Sequence, residues 1–351
     1  MNTSISIGSK IIGQSYRPLI IAEMSGNHHG NIDRAFAIVD AAAKNGADAI
    51  KLQTFTPDTL TIDSKRHEFL IDDSESPWFG KYLWDLYSEA YMPWEWQEEL
   101  FKFARNKGLA CISTIFDISS LEFLLSIGVD AIKIASFELI HIPLLSEASC
   151  CGKPLLLSIG MATLDEIQKA VETIRKRGCE NFILLKCTSA YPSTEKDANI
   201  LTIPDLRSRY NCYVGLSDHT LSPYAAFAAV AHGAVMIEKH FTLSRSERGV
   251  DSSFSIEPAE LHQLRLGTEM VWESLGKVCY EPLSSEKTSL KERPSIYVVK
   301  SIKSGETFTH ENVRIIRPSG GLLPEFYDQV IGRKAKVTME AGTPLSWDII
   351  D

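Results

Sequence analysis

The chain has 351 residues, of which 44% are hydrophobic and 23% charged, and its formal net charge is −9. This length accommodates a large domain and a small one, and the acidic excess argues against nucleic-acid binding, which calls for a basic face. No apolar run is long enough to span a bilayer and residues 1–18 lack the apolar stretch of a signal peptide, so we expect a cytoplasmic protein that does not enter a membrane.

Eight short apolar runs recur along the chain, with helical patterns between them. Parallel strands that are buried on both faces give continuous apolar runs of this kind. The runs cover residues 19–25, 49–54, 110–114, 131–136, 154–158, 182–189, 213–219 and 235–242. Eight such strands alternating with helices predict an α/β fold, the (β/α)8 TIM barrel.

Helix start and stop residues fall between these runs. Asp33 is predicted to cap a helix that ends near Asn45, and Pro93 to begin one that ends at Gly108. The sequence TLDE from Thr163 predicts a capping box. Three further helices are predicted to begin near Asp117, Ser222 and Glu257.

Residues 64–91 interrupt the alternation with a long, aromatic-rich insertion after the second strand. Insertions of this length beside an active-site face are often functional. An amphipathic lid helix anchored by its aromatic side chains explains the same pattern, and the two interpretations are compatible.

A polar, proline-bounded stretch at residues 281–293 is predicted to be a linker. It separates a barrel domain, residues 1–280, from a second domain, residues 294–351, with strand patterns at 295–300 and 313–317. A unit this small buries little core, so we expect it to be stabilised by docking.

Each predicted strand ends on polar residues. The active site of a TIM barrel lies at the carboxyl ends of its strands, so these side chains are expected to converge there. They are Glu23, Lys51, Gln53, Thr114, Lys133, Ser136, Ser158, Ser189, Ser217, His219, Glu238 and His240.

Two of these ends carry histidines that neighbouring strands would bring together. His219 and His240 could bind one divalent metal at the barrel mouth, and an oxygen-rich remainder would favour Mn or Mg. By spacing alone, two histidines at strand ends are more often hydrogen-bonded structure or acid–base groups than metal ligands.

Two lysines face the same axis in this scheme. Lys51 and Lys133, with the nearby hydroxyls, would form a site for a phosphate and a carboxylate through charge-assisted bonds. A structural ion pair with a glutamate, or a Schiff-base lysine, remains an alternative. Glu23 suits proton transfer, or else serves as a buried partner of Lys51.

The seven cysteines are scattered and form no C-x-x-C pair. We expect them to be reduced and structural, without a zinc cluster or a disulfide framework.

Eight motifs carry a resemblance to the sialic acid synthase family, whose members condense phosphoenolpyruvate with a sugar to make nonulosonic acids. They stand at residues 21–30 (IAEMSGNHHG), 49–54 (AIKLQT), 113–117 (STIFD), 133–136 (KIAS), 158–162 (SIGMA), 187–192 (CTSAYP), 215–220 (GLSDHT) and 237–242 (IEKHFT). The C-terminal segments 314–318 and 330–333 resemble the antifreeze-like (SAF) domain of the same family.

The resemblance implies a role for each matching position. Glu23, Lys51, Lys133 and Asp251 would be catalytic, and His219 and His240 would hold a divalent metal, manganese before cobalt or magnesium. Phosphoenolpyruvate would be held by Lys51, Thr114, Lys133, Ser136, Ser158, Ser189 and Ser217. The sugar would be contacted by Gln53, Tyr191, Asp251 and Arg317, the last supplied by the partner subunit of a domain-swapped homodimer.

Residues 86–96 and 253–258 resemble the branch of the family that uses 2,4-diacetamido-2,4,6-trideoxy-L-altrose and releases pseudaminate and phosphate. Ser189 replaces an asparagine common in N-acetylneuraminate synthases, which supports a different sugar or phosphate contact. A synthase making N-acetylneuraminate or legionaminate is the alternative. Ile115 and Ile159 also depart from the family pattern, at positions expected to affect packing only.

Overall fold

The computed structural model describes residues 4–351, which form two compact units. The first extends to Gly276, and the second is Lys277–Asp351, which includes the stretch predicted as a linker. In the described part of the chain, no helix is long and apolar enough to cross a membrane.

The first unit is a closed barrel of eight parallel strands, as predicted. A short antiparallel hairpin, β1 (Ile5–Ile7) and β2 (Lys10–Ile12), precedes it. The barrel strands are β3 (Leu19–Glu23), β4 (Ala49–Thr54), β5 (Ala110–Ile115), β6 (Ala131–Ile134), β7 (Leu155–Ser158), β8 (Phe182–Cys187), β9 (Tyr213–Ser217) and β10 (Met236–His240). Neighbours in sequence pair in order, and β10 pairs with β3 to close the ring.

Helices follow the strands and surround the barrel. Those of the first unit are Ile32–Lys44, Pro57–Leu60, Leu83–Ala90, Trp94–Asn106, Ile118–Ser126, Ile142–Ala148, Leu164–Lys176, Thr202–Tyr210, Tyr224–Ala231 and Pro258–Leu275. The capping box at Thr163 is present. The prediction of Asp33 as a cap is wrong: the side chain of Asn31 accepts from the backbone N–H of Arg34, and Asp33 lies in the first turn. A carboxylate is also favourable there, so sequence alone did not separate the two positions.

Strand alternation separates two buried layers. Inward side chains near the amino ends, such as Ile21, Ile112 and Leu185, pack with Ile7 and Ile12 of the hairpin, which fills the bottom of the barrel. Outward side chains such as Ile50 and Leu184 pack against the helices. With the bottom filled, the inward polar residues lie only in the upper layer, at the carboxyl ends.

The insertion after β4 folds over that end of the barrel. Leu70 and Tyr82 form an isolated antiparallel bridge, and the helix Leu83–Ala90 follows. The indole N–H of Trp78 donates to the Val250 carbonyl at 2.8 Å, which ties the insertion to the loop after β10.

The second unit contains an antiparallel pair, β11 (Ser295–Val298) and β12 (Val313–Ile316), and one short helix, Tyr327–Val330. Its own core includes Ile296, Val298, Phe308 and Leu345.

Candidate active site

A cavity of about 540 Å³ opens at the carboxyl ends of the barrel strands. Most of the site residues predicted from the sequence line it, although they come from different strands and loops. They are Glu23, Lys51, Gln53, Thr114, Lys133, Ser136, Ser158, Tyr191, Ser217, His219, His240 and Asp251.

A buried charge cluster forms the floor of the cavity. The Lys51 ammonium lies 2.7 Å from Glu23 Oε1 and 3.2 Å from Glu238 Oε1, and the Lys133 ammonium lies 3.6 Å from the same Glu238 oxygen. Lys51 also donates to Thr114 Oγ1 at 3.3 Å. Lys51 therefore does pair with a glutamate, while its position on the cavity wall keeps it available to an anion.

The environment separates the protonation behaviour of the two lysines. Burial opposes the charge of Lys51, but Glu23 and Glu238 outweigh it and raise its pKa. For Lys133, burial outweighs the attraction of Glu238 and Glu23 and lowers the pKa. Burial also works against the charge of Glu23, yet His240, Lys51 and Lys133 hold the pKa of that carboxyl well below its usual range. Glu23 is therefore an anion at neutral pH.

The strand-end hydroxyls leave one donor without a protein partner. Ser158 Oγ is buried and makes no hydrogen bond. Beside it the backbone N–H of Gly160 donates to Ser136 Oγ at 3.0 Å, and a Cβ on Gly160 would lie 2.3 Å from Ser189 Oγ. Buried polar groups are normally satisfied, so an unpartnered hydroxyl that lines the same cavity as Lys51 and Lys133 indicates a place for an anionic ligand.

The two histidines face each other across the mouth, with ring centroids 5.4 Å apart. His219 Nδ1 lies 2.8 Å from the Thr188 carbonyl, and the imidazole also hydrogen-bonds with the Cys187 thiol, a contact that a bound metal would replace. His240 Nε2 lies 3.4 Å from Glu23 Oε2, and its Nδ1 is buried without a partner. A backbone carbonyl that fixes one imidazole nitrogen is the usual support of a metal ligand, so His219 is held as such a ligand would be, with His240 facing it.

The histidine pair fits a metal site in which the protein supplies two ligands, His219 and His240. Among residues 4–351 no group of three or more His, Cys, Asp and Glu side chains is arranged to hold a metal ion. Further ligand positions would be filled by groups other than these four side-chain types, such as water.

Asp251 reaches the same cavity from the loop after β10. Its Oδ2 accepts from Ser25 Oγ at 2.5 Å and from the Gly26 backbone N–H at 3.0 Å. Gln53 Nε2 donates to Glu23 Oε1 at 2.8 Å and to Ser25 Oγ at 3.0 Å. This network fixes two polar side chains beside Glu23.

Aromatic rings form a wall above the histidines. Tyr191 lies 4.3 Å from His219 and Phe254 lies 5.0 Å from His240, measured between ring centroids. Trp78, from the insertion, lies within 6 Å of both aromatic rings, at 5.5 Å from Tyr191 and 5.8 Å from Phe254. The insertion therefore contributes directly to the cavity wall.

Three cavity residues had no role in the sequence interpretation. Glu238 stood at a strand end but was given no function, and its Oε2 is buried without a partner. Cys187, which the sequence predicts to be structural, also lines the cavity: burial opposes its ionisation, but His219, Ser136 and Lys133 lower the thiol pKa to about 7. Burial raises the pKa of Glu138 to about 7. The alternation of side chains along β8 and β10 predicts that Cys187 and Glu238 face the cavity. Glu138 lies in a short 3-10 helix, Phe137–Ile140, after β6, where this alternation does not apply.

Two of the assigned residues do not line the cavity. Ser189 lies just behind its wall, 3.8 Å from the Cys187 sulfur. Arg317 belongs to the second unit, where it follows β12 and is exposed. Its role therefore stays a prediction.

The chain is similar throughout its length to known enzymes. It is 40% identical to the pseudaminic acid synthase of Campylobacter jejuni, over 93% of this chain and 94% of that protein. With the pseudaminic acid synthase of Helicobacter pylori it shares 39% identity, over 95% and 98%. The crystal structure of an N-acetylneuraminic acid synthetase from Leptospira borgpetersenii superimposes with a TM-score of 0.71 at 34% identity, covering 82% of this chain and 95% of that one.

Family models agree with these likenesses. A SAF domain model matches residues 293–350, within the second unit. The NeuB family model matches residues 38–280, most of the barrel unit, and the chain belongs to the NeuB family.

Proposed function

We propose that this enzyme is a pseudaminic acid synthase. It would condense phosphoenolpyruvate with 2,4-diacetamido-2,4,6-trideoxy-L-altrose and water, giving pseudaminate and phosphate, which makes it a carbon–carbon bond-forming transferase. The names of its relatives in Campylobacter jejuni and Helicobacter pylori support the product.

The single observation that carries the chemistry is the composition of the cavity floor. Two buried ammonium groups and the unpartnered Ser158 hydroxyl lie in the same cavity as two facing imidazoles. An anion site next to a metal-binding pair suits a phosphorylated enol reacting with an aldehyde.

In this proposal Lys51 and Lys133 bind phosphoenolpyruvate by charge. Thr114, Ser136, Ser158 and Ser217, which line the cavity, would donate to its phosphate and carboxylate oxygens, and Ser189 would have to turn toward the cavity to do the same. Charge-assisted hydrogen bonds are the strong ones for such groups. The bound anion would replace part of the ion pairing that Lys51 makes with Glu23 and Glu238.

His219 and His240 would hold a divalent metal ion, manganese by preference and otherwise cobalt or magnesium. When bound, such an ion supplies a Lewis acid for the sugar aldehyde. The Thr188 carbonyl keeps His219 oriented, and one ring nitrogen of each histidine would serve as a ligand.

Bond formation joins C3 of phosphoenolpyruvate to the aldehyde carbon of the open-chain sugar and leaves positive charge at C2. Glu23, an anion at neutral pH, stabilises that charge and directs water to it. The tetrahedral product of water addition then loses phosphate by C–O cleavage. Gln53, Tyr191 and Asp251 hold the sugar in this scheme.

The second unit is proposed to act on a partner's barrel, in a swapped homodimer. Arg317 would then contact the sugar in the partner subunit's cavity. Its exposed position and the small core of its unit are the motivation.

Phosphate release measured with purified sugars tests the substrate. The diacetamido-trideoxy sugar should give a higher kcat/KM than N-acetylmannosamine or the legionaminate precursor, each assayed with phosphoenolpyruvate and Mn²⁺. A higher value for either competitor would overturn the sugar assignment and leave the condensation standing.

One observation favours a second chemistry, that of a Schiff-base aldolase. Burial lowers the pKa of Lys133, which is the direction of shift that a Schiff-base lysine needs. Borohydride treatment with pyruvate, followed by mass spectrometry, distinguishes the two. A stable adduct on Lys133 would favour the aldolase, and its absence together with phosphate release favours the synthase.

A further inference from the structure

Two charged residues lie between the site residues of β9 and β10, on the outer side of the barrel. Side chains alternate along a strand, so Asp218 faces away from the cavity when Ser217 and His219 face into it. By the same rule Lys239 faces outward between Glu238 and His240. Neither Asp218 nor Lys239 lines the cavity.

These two residues form a buried ion pair. Lys239 Nζ lies 2.7 Å from Asp218 Oδ2, and each side chain is only 3% exposed. The other oxygen of Asp218 accepts the backbone N–H of Thr220 at 2.9 Å.

The Lys239 ammonium group also donates several hydrogen bonds to the loop that follows β9. Lys239 donates to the Thr220 carbonyl, to the Ser222 carbonyl at 3.2 Å and to Thr220 Oγ1 at 3.4 Å. All of its acceptors therefore lie in residues 218–222, the segment that contains His219. One cation from the strand of His240 thus organises the backbone that carries His219.

We propose that Lys239 and Asp218 are positioning residues for the metal pair: their ion pair sets the spacing of His219 and His240 from behind the strands. This rests on the proposed metal site. The distance between the two imidazoles depends on how β9 continues beside β10, and the Asp218 N–H donates to the Glu238 carbonyl there at 2.8 Å.

A charged pair suits this task better than apolar packing. A buried ammonium must have its donors satisfied, and here the acceptors are backbone and side-chain oxygens at fixed places in one loop. Apolar side chains of similar size would fill the space but would not specify which loop conformation is adopted.

The barrel offers a matched control at its other end. Arg265 and Asp48 form a second buried pair, with Arg265 Nη1 3.0 Å from Asp48 Oδ2 and both side chains 7% exposed. Asp48 precedes β4, at the amino end of the barrel, far from the strand ends that carry the histidines. Arg265→Met removes a buried cation in the same way as Lys239→Met does.

The test is a titration of metal-free protein with Mn²⁺, in which electron paramagnetic resonance measures the concentration of the free ion. Circular dichroism verifies that each variant is folded. Lys239→Met is expected to raise the Mn²⁺ dissociation constant by about 10- to 100-fold, the usual effect of losing a supporting contact. Arg265→Met should lower thermal stability and leave Mn²⁺ affinity within twofold. Activity of Lys239→Met should recover at saturating Mn²⁺.

His219→Ala distinguishes failure of the metal site from failure of the positioning role. If His219→Ala binds Mn²⁺ as well as the unmodified protein does, the metal site itself is wrong. If His219→Ala loses binding and folded Lys239→Met keeps it within twofold, the positioning role is overturned. Should Lys239→Met not fold, Asp218→Asn decides, since it keeps the shape of the side chain and removes its charge: an unchanged affinity overturns the proposal and a weakened one supports it.

Discussion

Lys51 and Lys133 have similar burial and different partners. Lys51 contacts two carboxylates, whereas Lys133 contacts only Glu238 and at a longer distance. The surroundings therefore set the direction in which the pKa of each lysine shifts, while the residue type alone predicts only that both could bind an anion.

We expect Lys51→Ala and Lys133→Ala each to raise the KM for phosphoenolpyruvate. A hydrogen bond to a charged group contributes about 1.5–3 kcal/mol, which corresponds to roughly 10- to 150-fold in affinity. Steady-state kinetics with varied phosphoenolpyruvate measure this. Lys186→Ala is the control, since Lys186 is a buried lysine of β8 that faces away from the cavity. Equal KM values for all three variants would contradict the assignment.

Replacing either histidine should abolish activity without unfolding the barrel. His219→Ala and His240→Ala are expected to keep the circular dichroism spectrum, and excess chelator should inactivate the unmodified enzyme. His232→Ala, outside the cavity, should behave as the unmodified protein does. Full activity in chelator, with metal analysis showing an empty site, would refute a metal requirement.

The buried Glu138 carboxyl is expected to make the free energy of unfolding depend on pH. Burial raises its pKa in the folded chain to about 7, against 4.5 for the ordinary group. Between these values the unfolded chain binds fewer protons, so the free energy of unfolding falls as pH rises from about 4.5 to 7. At about 1.36 kcal/mol per pKa unit, the loss has an upper limit of about 3 kcal/mol.

Glu138→Gln has no such titration. Urea unfolding at pH 5, 6, 7 and 8 should therefore show a flatter profile for Glu138→Gln and greater stability than the unmodified protein at pH 8. Parallel profiles for the two proteins would show that Glu138 ionises normally.

Among the secondary-structure elements, the insertion after β4 has two roles: it packs against the barrel, and it forms part of the wall of the site. Trp78 bonds to the loop after β10 and lies beside Tyr191 and Phe254, while the adjacent Phe79 is exposed. Both interpretations of the aromatic pattern thus apply to the same few residues.

Trp78→Ala is expected to lower kcat/KM for the sugar by about 10-fold, equivalent to ~1.4 kcal/mol of lost apolar contact with its methyl and acetamido groups. The KM for phosphoenolpyruvate should change much less, because the lysines lie deeper. Phe79→Ala provides the comparison and should leave both constants unchanged. An equal effect on both substrates would point to general loosening of the site.

For the whole molecule, the open question is which barrel the second unit serves. We expect Arg317→Ala to impair sugar use more than phosphoenolpyruvate binding, with Arg314→Ala as the control on β12. In a swapped dimer, an Arg317→Ala subunit mixed with a His240→Ala subunit forms one intact site. Recovery of activity in purified heterodimers is the expected result, and none in verified heterodimers would place Arg317 at its own barrel or at no site.

The sequence by itself determined the barrel and the set of strand-end residues. Continuous apolar runs are a local property of buried parallel strands, and the period of two places Glu23, Lys51 and His240 on one face without knowledge of the fold's details. The family motifs, which depend on residue order alone, supplied the remaining assignments.

Only the tertiary structure decided which of these groups touch. The closure of β10 on β3 brings His240 beside Glu23, residues far apart in the chain, and the insertion reaches Val250 to place Trp78 over the cavity. The pKa shifts of Cys187 and Glu138 belong to the same class, because burial and charged neighbours are supplied by the other strands. The local sequence pattern specifies on which face of a strand a side chain lies. The contacts and the pKa of that side chain depend on the residues that other parts of the chain place on the same face.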